Sequence, residues 1–578
     1  MLTTERSELR DGMRIDWDVP ITMDDGIVLR GDVFRPPDEG RYPVILSYGP
    51  YAKGLAFQDG YVSAWQRLSS DHPEVTAHSS ARYMNWEVVD PERWVPDGYA
   101  CLRIDSRGAG RSPGFIDPRS QREIDDIYWC IEWAATQAWS SGKVGMNGIS
   151  YYAINQWQVA SRQPPHLAAC CIWEGSSDPY REQARHGGIL CTFRQHWFDK
   201  QVKSVQHGLG ERGPRSRVTG ELVCGPETLS DEELARNRGD IGQDHYEHQL
   251  RDEYYIKRSP DLAKVTLPLL SAANWGGAGL HGRGNIEGYA GAASTQKWLE
   301  VHGLEHWTEF YTDYGIDLQK RFFERFLKGN AQAWPDEPRV RLKIRRLDGL
   351  VERHENEWPL ARTCWTKFYL DPRNRSLSAE PAEGVLTYEP LGEGVTFMSA
   401  PLENELELTG PSALKLFLAS TTRDADVFAV LRAFAPNGDE VVFQGAIDPH
   451  TPVSQGWLRA SHRKIDPARS MPFRPYHPHD ELRPLEPGQI AELDVEIWPT
   501  CVVLPKGYRI GLSLLGKDYE YGGPSGGFLS NFKNEMRGSG PFLHNDERDR
   551  PPEIFGGALS VHSSAANPSY VLLPIIPS

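Results

Sequence analysis

The stretch that decides the fold of this chain is Val144-Gly145-Met146-Asn147-Gly148-Ile149-Ser150-Tyr151-Tyr152. An apolar, strand-like run ends in Gly148-Ile149-Ser150, and a helix-like segment follows at residues 152–158. A serine at such a strand-to-helix turn is held in a tight bend with its hydroxyl exposed, and a glycine two residues earlier leaves room for that bend. This pattern predicts a nucleophile elbow, although Tyr152 stands where the second glycine of G-x-S-x-G would be. The plain alternative is a serine that begins an ordinary helix.

A second motif lies upstream of the elbow. The buried-looking run at 99–105 leads into Asp105-Ser106-Arg107-Gly108-Ala109-Gly110-Arg111-Ser112, which has the form D-x-R-G-x-G-x-S. Earlier still come a strand pair at 23–36 and the element Pro50-Tyr51-Ala52-Lys53. With these pieces the chain resembles the cocaine esterase and X-prolyl dipeptidyl peptidase family of α/β-hydrolases over nearly its whole length. The family elbow reads G-x-S-Y, so Tyr152 fits it, whereas the glycine usual three residues after the serine is Ala153 here.

The length, net charge and cysteine content of the chain limit the class of protein to which it can belong. With 578 residues, 39% of them hydrophobic and 25% charged, the chain predicts two or three globular domains. A net charge of −16 argues against nucleic acid or an anionic membrane as a partner. The beginning of the chain lacks an apolar signal region, and the eight scattered cysteines form no C-x-x-C pair. We therefore expect a cytoplasmic protein without a metal or cofactor, and a homo-oligomer is compatible with this composition.

The order of the apolar runs predicts an α/β fold with a mostly parallel sheet. The runs lie at 43–48, 99–105, 144–149, 167–173, 267–275 and 297–302, and none alternates in polarity. Such runs are typical of strands buried on both faces. The candidate chemical groups follow the ends of these runs, where ligands bind in open α/β sheets. They are Tyr51, Asp105, Ser150, Glu174, His281, His302 and His306.

Three regions that differ in composition and hydrophobic pattern predict the domain organisation. Residues 1–177 and 264–335 form the predicted α/β-hydrolase domain, closed by a helix whose Phe322 and Phe326 share one face. The polar insertion at 178–263, with helix-like pieces at 230–236 and 246–255, predicts a helical cap. After residue 340, short apolar runs between Gly, Pro, Asp and Asn clusters predict an all-β domain at 340–578. The resemblance implies a jelly roll of the galactose-binding type there.

Acyl transfer by serine requires a nucleophile, a base, an acid that orients the base, and donors for the oxyanion. Ser150 is the predicted nucleophile. The resemblance implies that the Tyr51 hydroxyl and the backbone N–H of Tyr151 form the oxyanion hole. The base should follow the last predicted strand, where the family position favours His306, with His302 as the alternative.

The acid is missing from its usual place in the family. Relatives carry an aspartate where this chain has Gly277. Glu174, at the end of the strand after the elbow, is the predicted substitute, and Asp178 is the second choice. Glu174 has a purely structural alternative as an ion-pair partner of Arg181. His281 is predicted to lie near the pocket and bind substrate.

Together these features predict a serine hydrolase that cleaves a small-molecule carboxylic ester through an acyl-enzyme. Amide or X-Pro peptide cleavage, or acyl transfer to another acceptor, would use the same scaffold. A different class of hypothesis is a catalytically weakened binding protein, which the missing aspartate favours.

Overall fold

The computed structural model describes residues 6–529 and 531–577 of the chain. Its N-terminal part is built on one large sheet. The strands of this part are β1 (Arg6–Arg10), β2 (Met13–Thr22), β3 (Val28–Arg35), β4 (Tyr42–Gly49), β5 (Ala100–Asp105), β6 (Ser140–Ile149), β7 (Leu167–Trp173), β8 (Arg185–His186), β9 (Ile189–Leu190), β10 (Leu269–Asn274), β11 (Lys297–His302), β12 (Val340–Arg346) and β13 (Gly349–Glu355).

Neighbouring strands of the sheet pair in the order β1-β2-β3-β5-β4-β6-β7-β10-β11-β12-β13. Pairing is parallel from β5 to β12 and antiparallel outside that range, while β8 and β9 form a separate hairpin. Every residue of β5 and of β10 is buried, which explains their continuous apolar sequence. All six predicted runs are strands of this sheet, so the predicted mostly parallel sheet is confirmed.

Helices cover the sheet and fill the connections. The α-helices are α1 (Phe57–Gly60), α2 (Val62–Asp71), α3 (Glu74–Ala77), α4 (Pro91–Trp94), α5 (Gln121–Thr136), α6 (Tyr151–Ala160), α7 (Phe193–Trp197), α8 (Asp231–Arg236), α9 (Ile241–Glu247), α10 (Glu253–Arg258), α11 (Gly282–Gly291), α12 (Thr308–Tyr311), α13 (Asp313–Phe326) and α14 (Pro552–Phe555). Short 3₁₀ turns lie at Val95–Asp97, Lys203–Val205, Gly210–Arg212, Leu262–Lys264, Ala331–Ala333 and Ala460–His462, and π-helical turns at Tyr180–Ala184 and Phe198–Val202.

The insertion at 178–263 is a set of short helical pieces. Ser230 begins α8 with a capping box, in which its hydroxyl accepts from the Glu233 N–H and the Glu233 carboxylate accepts from the Ser230 N–H. The prediction of a single helical piece at 246–255 is wrong, because helix α9 ends at Glu247 and helix α10 begins at Glu253. Asp252 causes this break: its carboxylate accepts from the Tyr254 N–H and starts a new helix.

The described residues of the C-terminal part are all-β apart from α14 and one 3₁₀ turn. The predicted all-β region begins at residue 340, but the strands at 340–355 pair with the large sheet instead. The strands of the C-terminal part are β14 (Cys364–Asp371), β15 (Ser376–Ser378), β16 (Gly384–Tyr388), β17 (Val395–Met398), β18 (Leu406–Ser420), β19 (Asp426–Phe434), β20 (Glu440–Val441), β21 (Ser454–Arg459), β22 (Ala491–Leu504), β23 (Arg509–Leu515), β24 (Leu559–Ser563) and β25 (Tyr570–Ile576). Long antiparallel pairings of β18 with β22, β24 and β25 organise it around its own apolar core. The jelly-roll topology stays a prediction.

Arg345 of β12 connects the two parts. Its buried guanidinium donates to the carbonyl oxygens of Cys501 and Val453 and to the Thr500 hydroxyl. These bonds hold the C-terminal part against one edge of the large sheet. Among the helices of the described residues, none combines the length and the apolar character needed to cross a membrane.

Candidate active site

Ser150 lies on a strained turn between β6 and α6. Its φ of 55° and ψ of −111° are unusual for a residue other than glycine. A Cβ on Gly148 would come within 2.5 Å of the Tyr152 Cβ and 3.0 Å of the Glu87 carbonyl oxygen, so only glycine fits there. Strain of this kind persists where the surrounding structure enforces it, often at functional sites. The predicted elbow is therefore present in the backbone.

His281 is the histidine that contacts Ser150. Its Nε2 lies 3.1 Å from Ser150 Oγ, and its Nδ1 lies 3.1 Å from Ser176 Oγ. The Ser176 hydroxyl donates to the Leu280 carbonyl oxygen at 3.0 Å, which leaves the Ser176 oxygen to accept from the imidazole. His281 thus carries its hydrogen on Nδ1 and presents the lone pair of Nε2 to the Ser150 hydroxyl. This placement differs from the predicted role of His281 in binding substrate.

The charge state of His281 follows from its surroundings. The imidazole is 2% exposed. Burial, and then the neighbouring charge of His306, hold the pKa of His281 well below its ordinary value of 6.5. The ring is therefore neutral at physiological pH and able to accept a proton.

His306 lies between two glutamates. Its Nδ1 is 2.8 Å from Glu174 Oε2, and its Nε2 is 2.9 Å from Glu87 Oε1. His302 Nε2 also lies 3.1 Å from Glu174 Oε1. The structure thus brings Glu174 together with both histidines that sequence reasoning offered as the base. We call Glu87, Glu174 and His306 the histidine–glutamate network.

The pKa values of the three groups in the histidine–glutamate network are shifted far from their ordinary values. Burial opposes charge on His306, but the Glu174 carboxylate outweighs it and raises the pKa of His306 to about 10. Burial likewise opposes charge on Glu174, but His306 lowers its pKa to about 2. Burial raises the pKa of Glu87 to about 7 despite its bond to His306. His306 is therefore an imidazolium at neutral pH with both ring nitrogens donating.

The predicted base does not bond to Ser150 in this geometry. His306 instead stacks on His281, with ring centroids 5.4 Å apart and planes inclined by 21°. Its Nε2–H is directed to Glu87, so the hydrogen bond expected between His306 and Ser150 is made by His281. The physical reason is that two carboxylates outcompete a neutral hydroxyl for an imidazolium donor.

The predicted alternative acid lies in a different cluster. Asp178 is bound to Arg181, with Arg251 nearby, and caps the following turn through backbone N–H groups. Asp178, rather than Glu174, is therefore the ion-pair partner of Arg181. At Gly277 a Cβ would lie only 2.8 Å from the Gly282 nitrogen. The tight turn thus excludes an aspartate at that position in the present backbone.

Each of the two predicted oxyanion donors has a hydrogen that its local contacts leave available. Trp197 Nε1 donates to Tyr51 Oη at 2.9 Å, which leaves the Tyr51 hydrogen for another acceptor. Tyr151 is the first residue of α6, so its backbone N–H has no partner within the helix. Its side chain is engaged elsewhere, with the hydroxyl donating to Glu123 at 2.5 Å.

Sequence reasoning missed three contributors to this site. Glu87 follows an unremarkable loop and has a φ of 65°. Ser176 was visible as part of the turn after β7, but nothing in its spacing indicated a contact with a histidine. Trp197 lies in the polar insertion, and only the tertiary fold brings its indole to Tyr51.

Two protein-family models match the chain. The family model for X-Pro dipeptidyl-peptidase (S15 family) matches residues 25–308. The model for the X-Pro dipeptidyl-peptidase C-terminal non-catalytic domain matches residues 332–571. Together the two matches include the large sheet from β3 onward, the site around Ser150 and nearly all of the C-terminal part.

Individual relatives are similar over most of their length. Cocaine esterase from Rhodococcus sp. strain MB1 Bresler is 24% identical, over 96% of this chain and 98% of its own. A putative Xaa-Pro dipeptidyl-peptidase from Streptomyces avermitilis is 21% identical, over 84% of this chain and 76% of its own. Among solved structures, a CocE/NonD family hydrolase from Staphylococcus aureus is 30% identical with a TM-score of 0.82, covering 98% of this chain and 94% of that one. An α-amino acid ester hydrolase, 16% identical with a TM-score of 0.65 over 96% of each chain, shares the fold.

Proposed function

Because the chain belongs to the X-Pro dipeptidyl-peptidase (S15) family of hydrolases, we propose that it is a serine hydrolase that cleaves carboxylic esters through an acyl-enzyme. The observation that carries the proposal is the 3.1 Å contact between His281 Nε2 and Ser150 Oγ on a strained elbow. A neutral imidazole with a lone pair directed at a serine hydroxyl is the arrangement that activates a nucleophile.

In the proposed reaction Ser150 Oγ attacks the ester carbonyl carbon while its proton passes to His281 Nε2. The Tyr51 hydroxyl and the Tyr151 N–H stabilise the oxyanion of the tetrahedral intermediate. His281 then protonates the leaving alcohol oxygen as the acyl-enzyme forms. Water attacks this ester in turn, giving its proton to His281, and release of the acid returns the proton to Ser150.

The histidine–glutamate network has a positioning role in this scheme. His306 stacks on His281 from a fixed position between two carboxylates. Its positive charge lowers the basicity of His281, so that the protonated His281 is a strong acid toward the leaving group. Ser176 fixes the tautomer, a task that an aspartate performs in the Ser-His-Asp arrangement.

A second arrangement keeps the reaction but makes His306 the base and Glu174 the acid. The 2.8 Å contact between His306 Nδ1 and Glu174 favours it, because this is the base–acid bond of a catalytic triad. It requires the Ser150 side chain to turn away from His281 and His306 to lose a proton and its bond to Glu87. The two arrangements differ in which histidine is indispensable.

The ester is preferred over an X-Pro peptide as the substrate. Recognition of a free α-amine requires unpaired carboxylates near the nucleophile. Glu87 and Glu174, the two glutamates of the histidine–glutamate network, are both bound to His306. Transfer to an acceptor other than water would follow the same first half-reaction.

Labelling by a fluorophosphonate probe tests the proposal, because only an activated serine reacts quickly with it. We expect rapid covalent labelling at Ser150 of the wild-type protein and none in Ser150→Ala. Tyr51→Phe should lower ester turnover on the order of 10²-fold, since it removes one oxyanion donor. A wild-type protein that is folded but unlabelled would instead indicate a binding protein with an inactive site.

A further inference from the structure

A second cluster of buried basic side chains lies in the insertion and in the turn before α5. It consists of Arg119, Arg194 and His245, which are 2%, 3% and 3% exposed, and we call it the arginine cluster. Arg194 packs on Trp197, whose indole donates to Tyr51, so the cluster is linked by direct contacts to the site around Ser150.

The cluster lacks the counterions that buried cations need. Among residues 6–529 and 531–577, neither guanidinium has a carboxylate oxygen within 4.0 Å, in contrast to buried Arg185, which binds Asp549 at 2.7 Å. Glu123 accepts the Tyr151 hydroxyl and the backbone N–H of Arg119, not its guanidinium. Charged groups in protein interiors are usually paired with an opposite charge, whereas the Arg119 guanidinium, within the described residues, has only the neutral side-chain oxygen of Gln183 as an acceptor, so this cluster is electrostatically incomplete.

The unsatisfied atoms have the geometry of a binding fork. In the described part of the chain, Arg194 Nε and Nη2 have no hydrogen-bond partner, and neither do Arg119 Nε and His245 Nδ1. The Nε and Nη2 atoms of arginine lie on the same edge of the guanidinium and match the two oxygens of a carboxylate. Burial, and then the charge of Arg119, lower the pKa of Arg194, which is the signature of a cation without an anion.

Arg194 lines an open cavity and also contacts Trp197, whose indole donates to Tyr51. It lines a cavity of about 280 Å³ together with Gln195, His245 and Asn545. Its guanidinium stacks on the Trp197 ring, 3.8 Å from the centroid. Trp197 is in turn the residue that donates to Tyr51. A group held by Arg194 would therefore lie next to the residue that orients the oxyanion donor.

We propose that the arginine cluster binds a carboxylate on the substrate, so that the preferred substrates are monoesters of dicarboxylic acids or similarly anionic esters. This inference rests on the proposed hydrolase function and specifies its substrate class. An ester that carries a free ammonium group would face two guanidinium charges and is a poor substrate. The Arg194 fork supplies the recognition, and the Arg119 guanidinium adds to the positive field. Burial holds the pKa of His245 well below its ordinary value, so its neutral ring contributes no charge.

Paired substrates test the proposal. Mono(4-nitrophenyl) glutarate and its methyl ester differ in one negative charge, and we expect the wild-type kcat/KM to favour the charged compound roughly 10- to 100-fold, as a charge-assisted bond allows. Arg194→Gln should abolish that preference, chiefly through KM, and Arg194→Lys should restore part of it. Arg236→Gln removes the same charge from an exposed position of the same insertion and should keep the wild-type ratio.

A binding measurement separates this inference from the function on which it rests. Glutarate should raise the melting temperature of full-length Ser150→Ala and of the wild-type protein but not of Arg194→Gln. An unlabelled Ser150 together with Arg194-dependent glutarate binding would refute the hydrolase and keep the anion site. A labelled Ser150 with no glutarate stabilisation, or with equal rates for the two esters, would refute the anion site alone. If Arg194→Gln does not fold, the wild-type ester ratio and glutarate response decide the question.

Discussion

The histidine–glutamate network and the arginine cluster are both buried and both act electrostatically on His281, yet they are built in opposite ways. In the network each ring nitrogen of His306 meets a glutamate oxygen within 2.9 Å. In the arginine cluster Arg194 has two unsatisfied nitrogens and no carboxylate partner among the described residues. A buried cation whose nitrogens all have glutamate partners favours a fixed, structural role, whereas a buried cation without any carboxylate partner indicates that a ligand supplies the anion.

His281 and His306 differ in charge and in hydrogen bonding, although their rings stack on each other. His281 is neutral and has a free lone pair directed at the nucleophile, while His306 is charged and has both nitrogens engaged. Their rings are only 5.4 Å apart, so the hydrogen-bond partners of each ring, hydroxyls for His281 and glutamates for His306, decide its chemistry.

The largest expected effect comes from breaking the contact with the nucleophile. His281→Asn should lower kcat/KM for a neutral activated ester by about 10⁴-fold, at the upper end of general-base contributions. His306→Asn should lower it much less, because the charge of His306 only tunes His281. Steady-state kinetics of both variants decide between them, with circular dichroism as the control for folding. A dead His306→Asn and an active His281→Asn would assign the base to His306 and Glu174.

Breaking the compensated network should cost stability. Glu174→Gln leaves the His306 imidazolium with one counterion fewer in the interior, and we expect a loss of about 3–5 kcal/mol in the free energy of unfolding. Denaturant unfolding near neutral pH measures it. The matched control is Glu253→Gln, which removes a carboxylate that is 75% exposed and lies 3.8 Å from Lys257. That change should cost less than about 1 kcal/mol. Equal effects of the two substitutions would contradict the account of the network.

Removing a charge from the uncompensated cluster should have the opposite sign and a smaller size. Arg194→Met keeps an unbranched apolar chain over Trp197 and eliminates an unpaired buried cation. We expect the free energy of unfolding in ligand-free buffer to rise by about 1–2 kcal/mol, within the range known for apolar replacement of buried charges. A loss of stability would show that the Arg194 charge is satisfied within the protein.

The sequence predicted the framework better than the contacts. The strands of the large sheet could be recognised because strands buried on both faces have continuous apolar sequences. The elbow at Ser150 could be recognised because its glycine spacing is local. Glu174 could be placed near the histidines because it follows a neighbouring strand of the same sheet, and the structure puts it 2.8 Å from His306.

The remaining contacts depend on tertiary structure. The bond between His281 and Ser150 results from the tight turn after β10, whose shape is not encoded in any local periodicity. Glu87 reaches His306 from a loop residue with a left-handed backbone. Arg194 lies in a polar insertion where a buried arginine looks like any solvated one, and only the absence of partners in the folded chain marks it.

The pH dependence of fluorophosphonate labelling at Ser150 tests most directly which histidine activates the nucleophile. Burial and the charge of His306 hold the pKa of His281 below 6.5, so its lone pair is lost only as the pH falls below that value. We therefore predict labelling that is already at its plateau at pH 7, declines in acid, and is lost in His281→Asn. In His306→Asn the acidic decline should shift to higher pH, because the neighbouring charge is removed. If labelling instead rises steadily toward pH 10, the value to which Glu174 raises the pKa of His306, His281 is not the base.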